Sequence, residues 1–392
     1  MPVPLPEPDA ILPPPADNEG FEIARALVTA MQGPEGLTDL QYHVMSAHTV
    51  AMSGTHINPD FIEPMYPEEF GELMRYRTGD FRVRMIQVML LGAFILNPLP
   101  AEIVERIADY AREASVDDDM IQVAMHEAQG ARGQVMADFA RAGYHDHLDI
   151  DHSEGARPDV AVPDHWASVE DDPELAGRWA AMEHLPPNTL GRQVWQFYTS
   201  RGFHFPGSPG SASPYLAQHD WVHVIADYGS TIESEIEIFG LISRANDDST
   251  AFSLLAMVLS LFETGNLEAV AIFEQDQGNL SRNSRKMGVR LADAMYRGAI
   301  IGARFGGEDL MEVDWLSLAD RDVDEIRAML GIPAKSPIAL RAGSVSPWES
   351  GGISPFQMNA GQELAALRGR QYDSYGGDLV QQITATVVSE IS

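Results

Sequence analysis

Most glycine and proline residues of this chain fall between its apolar segments. Apolar residues recur at helical spacing from about residue 37 to 142 and again from about 173 to 332, and runs of β-branched residues are few. Glycine and proline commonly end helices, whereas alanine, leucine, methionine and arginine favour helix interiors. The pattern predicts an all-α fold of two packed helical regions, with an irregular N-terminal arm and an irregular C-terminal tail.

Composition divides the 392 residues into five segments. Residues 1–20 are rich in proline and acidic side chains, which predicts a disordered arm. Residues 21–142 are predicted to form a helical bundle, and residues 143–172 an acidic linker. A second helical region is predicted over residues 173–335. The remaining tail, residues 336–392, begins with a stretch rich in glycine, serine and proline and is expected to be mostly irregular.

Local signals mark where individual helices of the first region begin and end. Thr38 and Gln41 stand in the spacing of a capping box, which predicts a helix start. Asp80 is predicted to cap the next apolar run, and the pair Asn97-Pro98 is predicted to end it. These boundaries predict several short helices, as in a compact bundle.

The charge of the chain excludes one class of partner. The formal net charge is -32 at pH 7, and the only lysines are Lys286 and Lys335. Such a surface repels phosphate backbones, so we expect no nucleic-acid partner. The N-terminus lacks the basic segment and apolar core of a signal peptide, and the longest apolar runs, 85–96 and 252–262, fall short of the ~20 residues of a spanning helix. We expect a cytoplasmic protein, with peripheral membrane contact as the alternative.

The chain contains no cysteine, which limits the metal sites that it can build. Disulfides, thiolate ligands and cysteine nucleophiles are excluded, so any metal must be held by histidine, aspartate, glutamate or water. One histidine–aspartate cluster, GYHDHLDIDHSEG (143–155), has no regular ligand spacing. We interpret this cluster as a solvated linker, and loose metal binding is the alternative.

The stretch HDWVHVIADYGSTIESE (219–235) offers a more regular arrangement. The pair Ser213-Pro214 predicts a helix that begins at Pro214. At about 100° per residue, His219, Asp220, His223 and Asp227 fall on one arc of that helix. Histidines spaced i, i+4 can offer two imidazoles to one divalent ion. The first half of the stretch therefore predicts a set of potential metal ligands on one helix face.

A second helix is predicted after Gly229, which is expected to stop the first. Residues 230–233, Ser-Thr-Ile-Glu, suggest a capping box, although the alternation in ESEIEIF also fits a strand. On a helix, Glu235 falls within the apolar arc, whereas Glu233 and Glu237 fall on the opposite face. A carboxylate on a core face needs a partner, and the preceding helix offers histidines. The break at Gly229 would let the second helix fold back to bring Glu235 to them.

Imidazole and carboxylate ligands together suit Zn, Fe, Mn or Co. His219, His223 and Glu235 are predicted ligands, and Asp220 is either a fourth ligand or a base beside the metal. Four protein ligands would close a tetrahedral zinc site, whereas three would leave a position for substrate. The alternative to a metal site is a buried polar network or a salt-bridged surface.

The spacing H-D-x-x-H, eleven residues, then glutamate resembles the motif of the Coq4 family of ubiquinone-biosynthesis proteins. The motif is complete in His219, Asp220, His223 and Glu235. The flanking segments LPPNTLGRQVWQFY (185–198) and VDWLSLADRDVDEIRAMLGI (313–332) also resemble that family. The similarity covers roughly residues 175–335, and the first helical region faintly resembles TerB-like bundles.

The resemblance implies a helical fold with a metal, usually described as zinc, held by the motif. It implies replacement of the ring carboxylate of a polyprenyl hydroxybenzoate by hydroxyl, an oxidative decarboxylation. The alternative is a non-catalytic, metal-stabilised scaffold that binds lipid for a quinone-biosynthesis complex, and a third is a helical interaction protein whose motif is only structural. Expected partners are a prenylated aromatic or other lipid-like molecule, quinone-biosynthesis enzymes and a second copy of the chain. The apolar stretches 252–273 and 288–304 could wall a groove for a prenyl tail or simply form core.

Overall fold

The computed structural model describes residues 17–38, 62–96, 98–129, 171–212, 214–246 and 284–374, together with a few single positions between these ranges. Across these residues the regular elements are helices, and no strand is present. The predicted all-α fold is therefore confirmed. Residues 1–16 of the predicted arm and residues 143–170 of the predicted linker, including the cluster at 143–155, lie outside the described residues. The predicted arm is four residues too long, because the first helix begins at Asp17.

The helices of the first region have short, well-defined bounds. Those with complete bounds are α1 (Asp17–Met31), α2 (Pro67–Met74), α3 (Gly79–Phe94), α4 (Ala101–Glu113) and α5 (Asp119–Ala128), and the described residues between 41 and 49 are helical as well. The predicted capping box is confirmed, since the Gln41 backbone N–H donates to Thr38 Oγ1 at 3.2 Å and the Thr38 N–H donates to Gln41 Oε1 at 3.0 Å. The prediction for Asp80 is wrong by two residues, because Thr78 caps α3 by accepting from the backbone N–H of Phe81.

The helices of the second region and the tail follow after residue 171. They are α6 (Pro173–Ala181), α7 (Leu190–Arg201), α8 (Gln218–Ala226), α9 (Ile232–Ala245), α10 (Ser284–Phe305), α11 (Val323–Leu330), α12 (Pro337–Arg341) and α13 (Pro355–Leu367). Short 3-10 turns over Met182–His184 and Trp315–Leu318 join some of them. None of the described helices combines the length and apolar character needed to cross a bilayer.

The tail contains more regular structure than its composition suggests. Helices α12 and α13 each begin with serine at the N-cap and proline at the first helical position, namely Ser336-Pro337 and Ser354-Pro355. This pair pre-organises a helix start because the serine hydroxyl accepts a free backbone N–H and proline lacks the N–H that would be left over. Helix α13 packs against α7, so part of the tail belongs to the folded core.

One apolar cluster joins the two helical regions, and a second apolar cluster lies within the second region. A single buried cluster contains side chains of α1 to α5 together with Ile232, Ile236 and Phe239 of α9 and Leu291 and Met295 of α10. Those last two residues lie in the stretch 288–304 that could have walled a groove, and here they form core. The division of the chain into residues 21–142 and 173–335 stays a prediction, because shared packing does not say whether either part folds alone.

Helix α9 is enclosed on almost every side, and α10 covers it most closely. A Cβ added at Gly298 would lie 2.2 Å from the carbonyl oxygen of Leu241, and one at Gly302 would lie 2.5 Å from that of Ala245. These glycines, four residues apart, let the two backbones touch. The close approach buries Glu237 completely, although the sequence places it on the face opposite the apolar arc. Arg290 of α10 meets this carboxylate at 2.6 Å.

Candidate metal centre

Helix α8 begins four residues later than the sequence predicts. Residues 214–217 form a turn, and the helix starts at Gln218. Within the turn, the backbone N–H groups of Gln218 and Asp220 donate to the carbonyls of Tyr215 and Ala217, three residues back in each case. This tighter 3-10 spacing places the two motif histidines in the first two turns of a nine-residue helix.

The C-terminal end of α8 differs from the prediction and removes Asp227 from the site. Asp227 adopts the left-handed conformation, with φ of 64°, so it ends the helix before Gly229 is reached. Its carboxylate lies 3.2 Å from Lys335 Nζ and does not join the motif histidines. Arg297 and Arg327 donate to the last carbonyls of the helix at 2.8 to 2.9 Å. These cations satisfy the free carbonyls and complement the helix dipole.

Helix α9 starts at Ile232, and its N-cap is Thr231. The predicted capping box over residues 230–233 is therefore wrong, and Ser230 makes other contacts that are described below. Glu235 is only 6 % exposed, which confirms its predicted burial, while Glu233 is partly exposed. The position of Glu235 in the first turn of α9 directs its carboxylate towards α8.

Three side chains from α8 and α9 converge on one point. Glu235 Oε2 lies 3.2 Å from His223 Nε2 and 3.4 Å from His219 Nε2. One donor atom from each of the three residues lies within 4.8 Å of the other two. His223 is completely buried, and 12 % of the His219 side chain is exposed, so solvent reaches the group from the His219 side.

The spacing of these atoms fits a divalent cation. Ligands at the usual 2.0–2.2 Å from a tetrahedral zinc stand about 3.3–3.6 Å apart. The two histidine–glutamate separations lie within or close to that range. The donor types, two imidazoles and one carboxylate, also belong to the set that holds Zn, Fe, Mn or Co. His219, His223 and Glu235 could therefore hold such an ion with little rearrangement.

The orientation of His219 is set by the backbone. Its Nδ1 lies against the carbonyl oxygen of Leu216, which can only accept a hydrogen bond. The proton of the neutral ring therefore sits on Nδ1, and the lone pair of Nε2 faces Glu235. A backbone carbonyl on the far nitrogen is the usual means by which proteins orient a metal-binding histidine.

Asp220 borders the three converging residues without joining them fully. Its Oδ1 lies 3.5 Å from His219 Nε2, and its Oδ2 accepts a hydrogen bond from the Tyr198 hydroxyl at 2.5 Å. Burial raises the pKa of Asp220, and it also raises the pKa of Tyr198 well above the ordinary value. The phenol is thus kept as a hydrogen-bond donor, and it holds one oxygen of Asp220 in place.

The ionisation of the site follows from its opposing charges. Burial disfavours the charged form of His219, but the carboxylates of Asp220 and Glu235 outweigh burial and raise the pKa of His219 to about 9. Burial opposes ionisation of Glu235 as well, yet His223 and His219 hold its pKa far below the ordinary value. At neutral pH without a cation, His219 therefore carries a second ring proton beside the carboxylates of Asp220 and Glu235. Metal ligation requires neutral imidazole, so a bound cation would displace that proton.

Aromatic side chains line the back of the site. The Phe197 ring stacks on His223 at a centroid distance of 5.4 Å, and the Phe239 ring lies 5.2 Å from that of His219. The sequence did not assign roles to Phe197 and Tyr198. The sequence did contain a signal for Tyr198. A buried tyrosine hydroxyl needs a hydrogen-bond partner, and Tyr198 lies in the segment that precedes the histidine motif. Of the apolar stretch 252–273, only Leu255 is described.

Comparison with known proteins adds little to this geometry. No protein-family model matches the chain, and no curated protein matches it. A crystal structure from Nostoc punctiforme PCC 73102, described as a "putative ubiquinone biosynthesis protein", is similar at 16% sequence identity, and the match covers 69% of this chain and 100% of that one. The TM-score is 0.27, a value too low to support a conclusion about fold or activity.

Proposed function

We propose that this chain is a metal-dependent protein of ubiquinone biosynthesis in which His219, His223 and Glu235 hold a divalent cation. The observation that carries the metal site is the convergence of three donor atoms within 4.8 Å at the α8–α9 junction. The choice of pathway comes from the complete H-D-x-x-H-x11-E motif, which resembles that of the Coq4 family. Zinc is the cation that the resemblance favours, and Fe, Mn and Co suit the same ligands.

The proposed reaction replaces the ring carboxylate of a polyprenyl hydroxybenzoate by hydroxyl. The bond between ring and carboxyl carbon breaks, the carboxyl group leaves as carbon dioxide, and a new ring carbon–oxygen bond forms. Two electrons must leave the organic substrate. With dioxygen as the oxidant and water as co-reactant, the balanced products are the phenol, carbon dioxide and hydrogen peroxide.

The side chains of the site would divide the work. A cation held there supplies Lewis-acid polarisation of a carboxylate or phenolate and, if it is redox-active, electron transfer with dioxygen. Glu235 and the two histidines would hold the cation, and Phe197 and Phe239 would exclude water from the imidazole rings. Asp220 would serve as the base, because Tyr198 holds its Oδ2 while its Oδ1 faces the site at His219.

Metal content of the purified protein tests the first part of this proposal. We expect about one divalent ion per chain in the wild type and more than about 100-fold weaker binding in Glu235→Gln, since loss of an outer partner alone costs 10–100-fold. Glu233→Gln is the matched control, because Glu233 lies two residues away on the same helix and is partly exposed. Wild-type protein that binds none of Zn, Fe, Mn or Co would refute the proposal.

Turnover tests the second part. The metal-loaded protein is incubated with a prenylated 4-hydroxybenzoate and dioxygen, and carbon dioxide and peroxide are measured. We expect equal amounts of both, lost in His223→Ala and in Asp220→Asn. Tight binding of the prenylated compound without turnover, with each of the four metals, would instead favour the non-catalytic scaffold.

A further inference from the structure

The loop between the two ligand-bearing helices, residues 227–231, is bound by a distant part of the chain. We call residues 345–357, which lie beyond the stretch 175–335 that resembles the family, the C-terminal segment. The backbone N–H of Gly229 donates to a carbonyl of this segment at 3.0 Å, and that of Ser230 donates to another at 2.9 Å. Gln357 Nε2 donates to the Ser230 carbonyl at 2.8 Å. The C-terminal segment therefore binds main-chain groups in the middle of the loop.

The loop and the C-terminal segment touch backbone to backbone. A Cβ added at Gly229 would lie 2.6 Å from both the Cα and the carbonyl oxygen of Gly352. No side chain fits between the two chains at this crossing. The loop cannot shift towards the C-terminal segment, and the hydrogen bonds prevent it from moving away.

The Ser230 side chain links this contact to a buried arginine. Its hydroxyl donates to Gln357 Oε1 at 2.7 Å and accepts from Arg201 Nε at 2.5 Å. The Arg201 side chain also donates to the carbonyls of Pro347 and Gly352, at 3.1 Å each. Arg201 is only 1 % exposed. Most of the hydrogen bonds of this buried guanidinium therefore go to the loop and the C-terminal segment.

The same guanidinium also supports a metal-ligand candidate from behind. Arg201 Cζ lies 3.9 Å from the centroid of the Phe197 ring, and that ring stacks on His223. A cation over an aromatic face is an attractive contact, and it is stronger when both groups are desolvated. Arg201 thus contacts the loop that leads to Glu235 and, through Phe197, the imidazole of His223.

We propose that the C-terminal segment holds the metal ligands in position, and that Arg201, Ser230 and Gln357 are the positioning residues. By fixing the loop they fix the angle between α8 and α9, and hence the distance between His223 Nε2 and Glu235 Oε2. Metal sites require ligand distances within about 0.2 Å of ideal, so a small change of this angle weakens binding. The inference rests on the proposed function for the presence of a metal.

A cobalt titration of the full chain tests this proposal. Co²⁺ absorption reports both affinity and ligand geometry. Gln357→Met keeps side-chain length but removes both hydrogen bonds to Ser230, and we expect about 10-fold weaker Co²⁺ binding with an altered spectrum. Ser354→Ala is the matched control, since it removes the N-cap of the same helix and leaves the contacts with Ser230 in place. It should lower Tm without changing affinity or spectrum.

Ser230→Ala provides a second variant in case Gln357→Met does not fold. It removes the hydroxyl shared by Arg201 and Gln357 but keeps the backbone hydrogen bonds of the loop, and it should also weaken Co²⁺ binding. Wild-type affinity and spectrum in both variants would overturn the proposal. The proposal would also be overturned if Co²⁺ affinity fell in proportion to Tm in all variants, including the control Ser354→Ala. A wild type that binds none of Zn, Fe, Mn or Co would refute the proposed function itself. Variants that bind Co²⁺ with unchanged affinity would refute only the positioning role.

Discussion

At the scale of single residues, buried charges in this protein are met by a partner from another element. Glu237 of α9 meets Arg290 of α10, and Arg84 of α3 donates to the carbonyls of Ser243 and Asn246 at 3.1 and 3.2 Å. An isolated buried charge would cost several kcal/mol. The same requirement explains why Glu235, once buried on α9, lies against two imidazoles.

His48 gives a residue-scale prediction for pH. Burial, with Arg244 and Arg84 adding to it, holds its pKa well below 6.5. As pH falls through 6.5, the unfolded chain takes up a proton at His48 and the native chain does not, so stability is lost on acidification. The slope from this residue approaches about 1.4 kcal/mol per pH unit. Urea unfolding between pH 7.5 and 5 should show a shallower dependence in His48→Gln than in wild type. Equal slopes would contradict the prediction.

At the scale of elements, the contact between α9 and α10 determines most of what surrounds the candidate site. Gly298 and Gly302 bring the α10 backbone against carbonyls of α9, and Gly240 of α9 receives the Leu291 side chain at a position where a Cβ would lie 2.4 Å away. Small residues on both helices make α9 a buried element. That burial explains why Glu237, on the face opposite the apolar arc, is nevertheless enclosed and paired with Arg290.

Gly298→Ala tests this contact. The new Cβ would meet the Leu241 carbonyl oxygen at 2.2 Å, so α10 must shift, and we expect a loss of about 1–3 kcal/mol in unfolding free energy. Gly177→Ala is the control, because Gly177 lies in α6 with nothing within 4 Å of the added atom. It should stabilise the protein by up to about 1 kcal/mol, since alanine loses less backbone entropy in a helix. Denaturant unfolding of both variants measures the difference. If the two variants changed the unfolding free energy equally, α9 and α10 would be able to move apart at little cost.

At the scale of the whole molecule, the two helical regions are joined through their core. Side chains of α9 and α10 complete the apolar cluster of the first region, and Arg84 connects α3 with the end of α9. Because helix α9, which carries Glu235, packs in this cluster and binds Arg84, loss of the first region would expose one side of α9.

Joint packing predicts one cooperative unfolding transition. All six tryptophans lie at or after residue 166, so their fluorescence reports the part of the chain that follows residues 21–142, while far-UV circular dichroism reports all helices. The two probes should give the same urea midpoint, as two-state unfolding requires. Separate midpoints would show that residues 21–142 unfold independently of the remainder.

Local sequence determined the features that depend on neighbours within a few turns. Helical periodicity and helix-ending residues predicted the all-α fold, and the capping box at Thr38 is present as predicted. The i, i+4 spacing placed His219 and His223 on one face, and the apolar arc around Glu235 predicted its burial. These predictions are correct because the spacing of residues along a helix determines which side chains share a face, independently of the rest of the molecule.

Only the tertiary structure decided which polar groups meet. Asp227 shared the histidine face by spacing, yet its left-handed conformation and Lys335 removed it from the site. The hydrogen bond from Tyr198 to Asp220 joins residues 22 positions apart, and the C-terminal segment reaches the loop at Ser230 from more than 100 residues away. Local periodicity carries no information about such contacts, because they arise from the way separate helices pack and from the need to pair every buried charge.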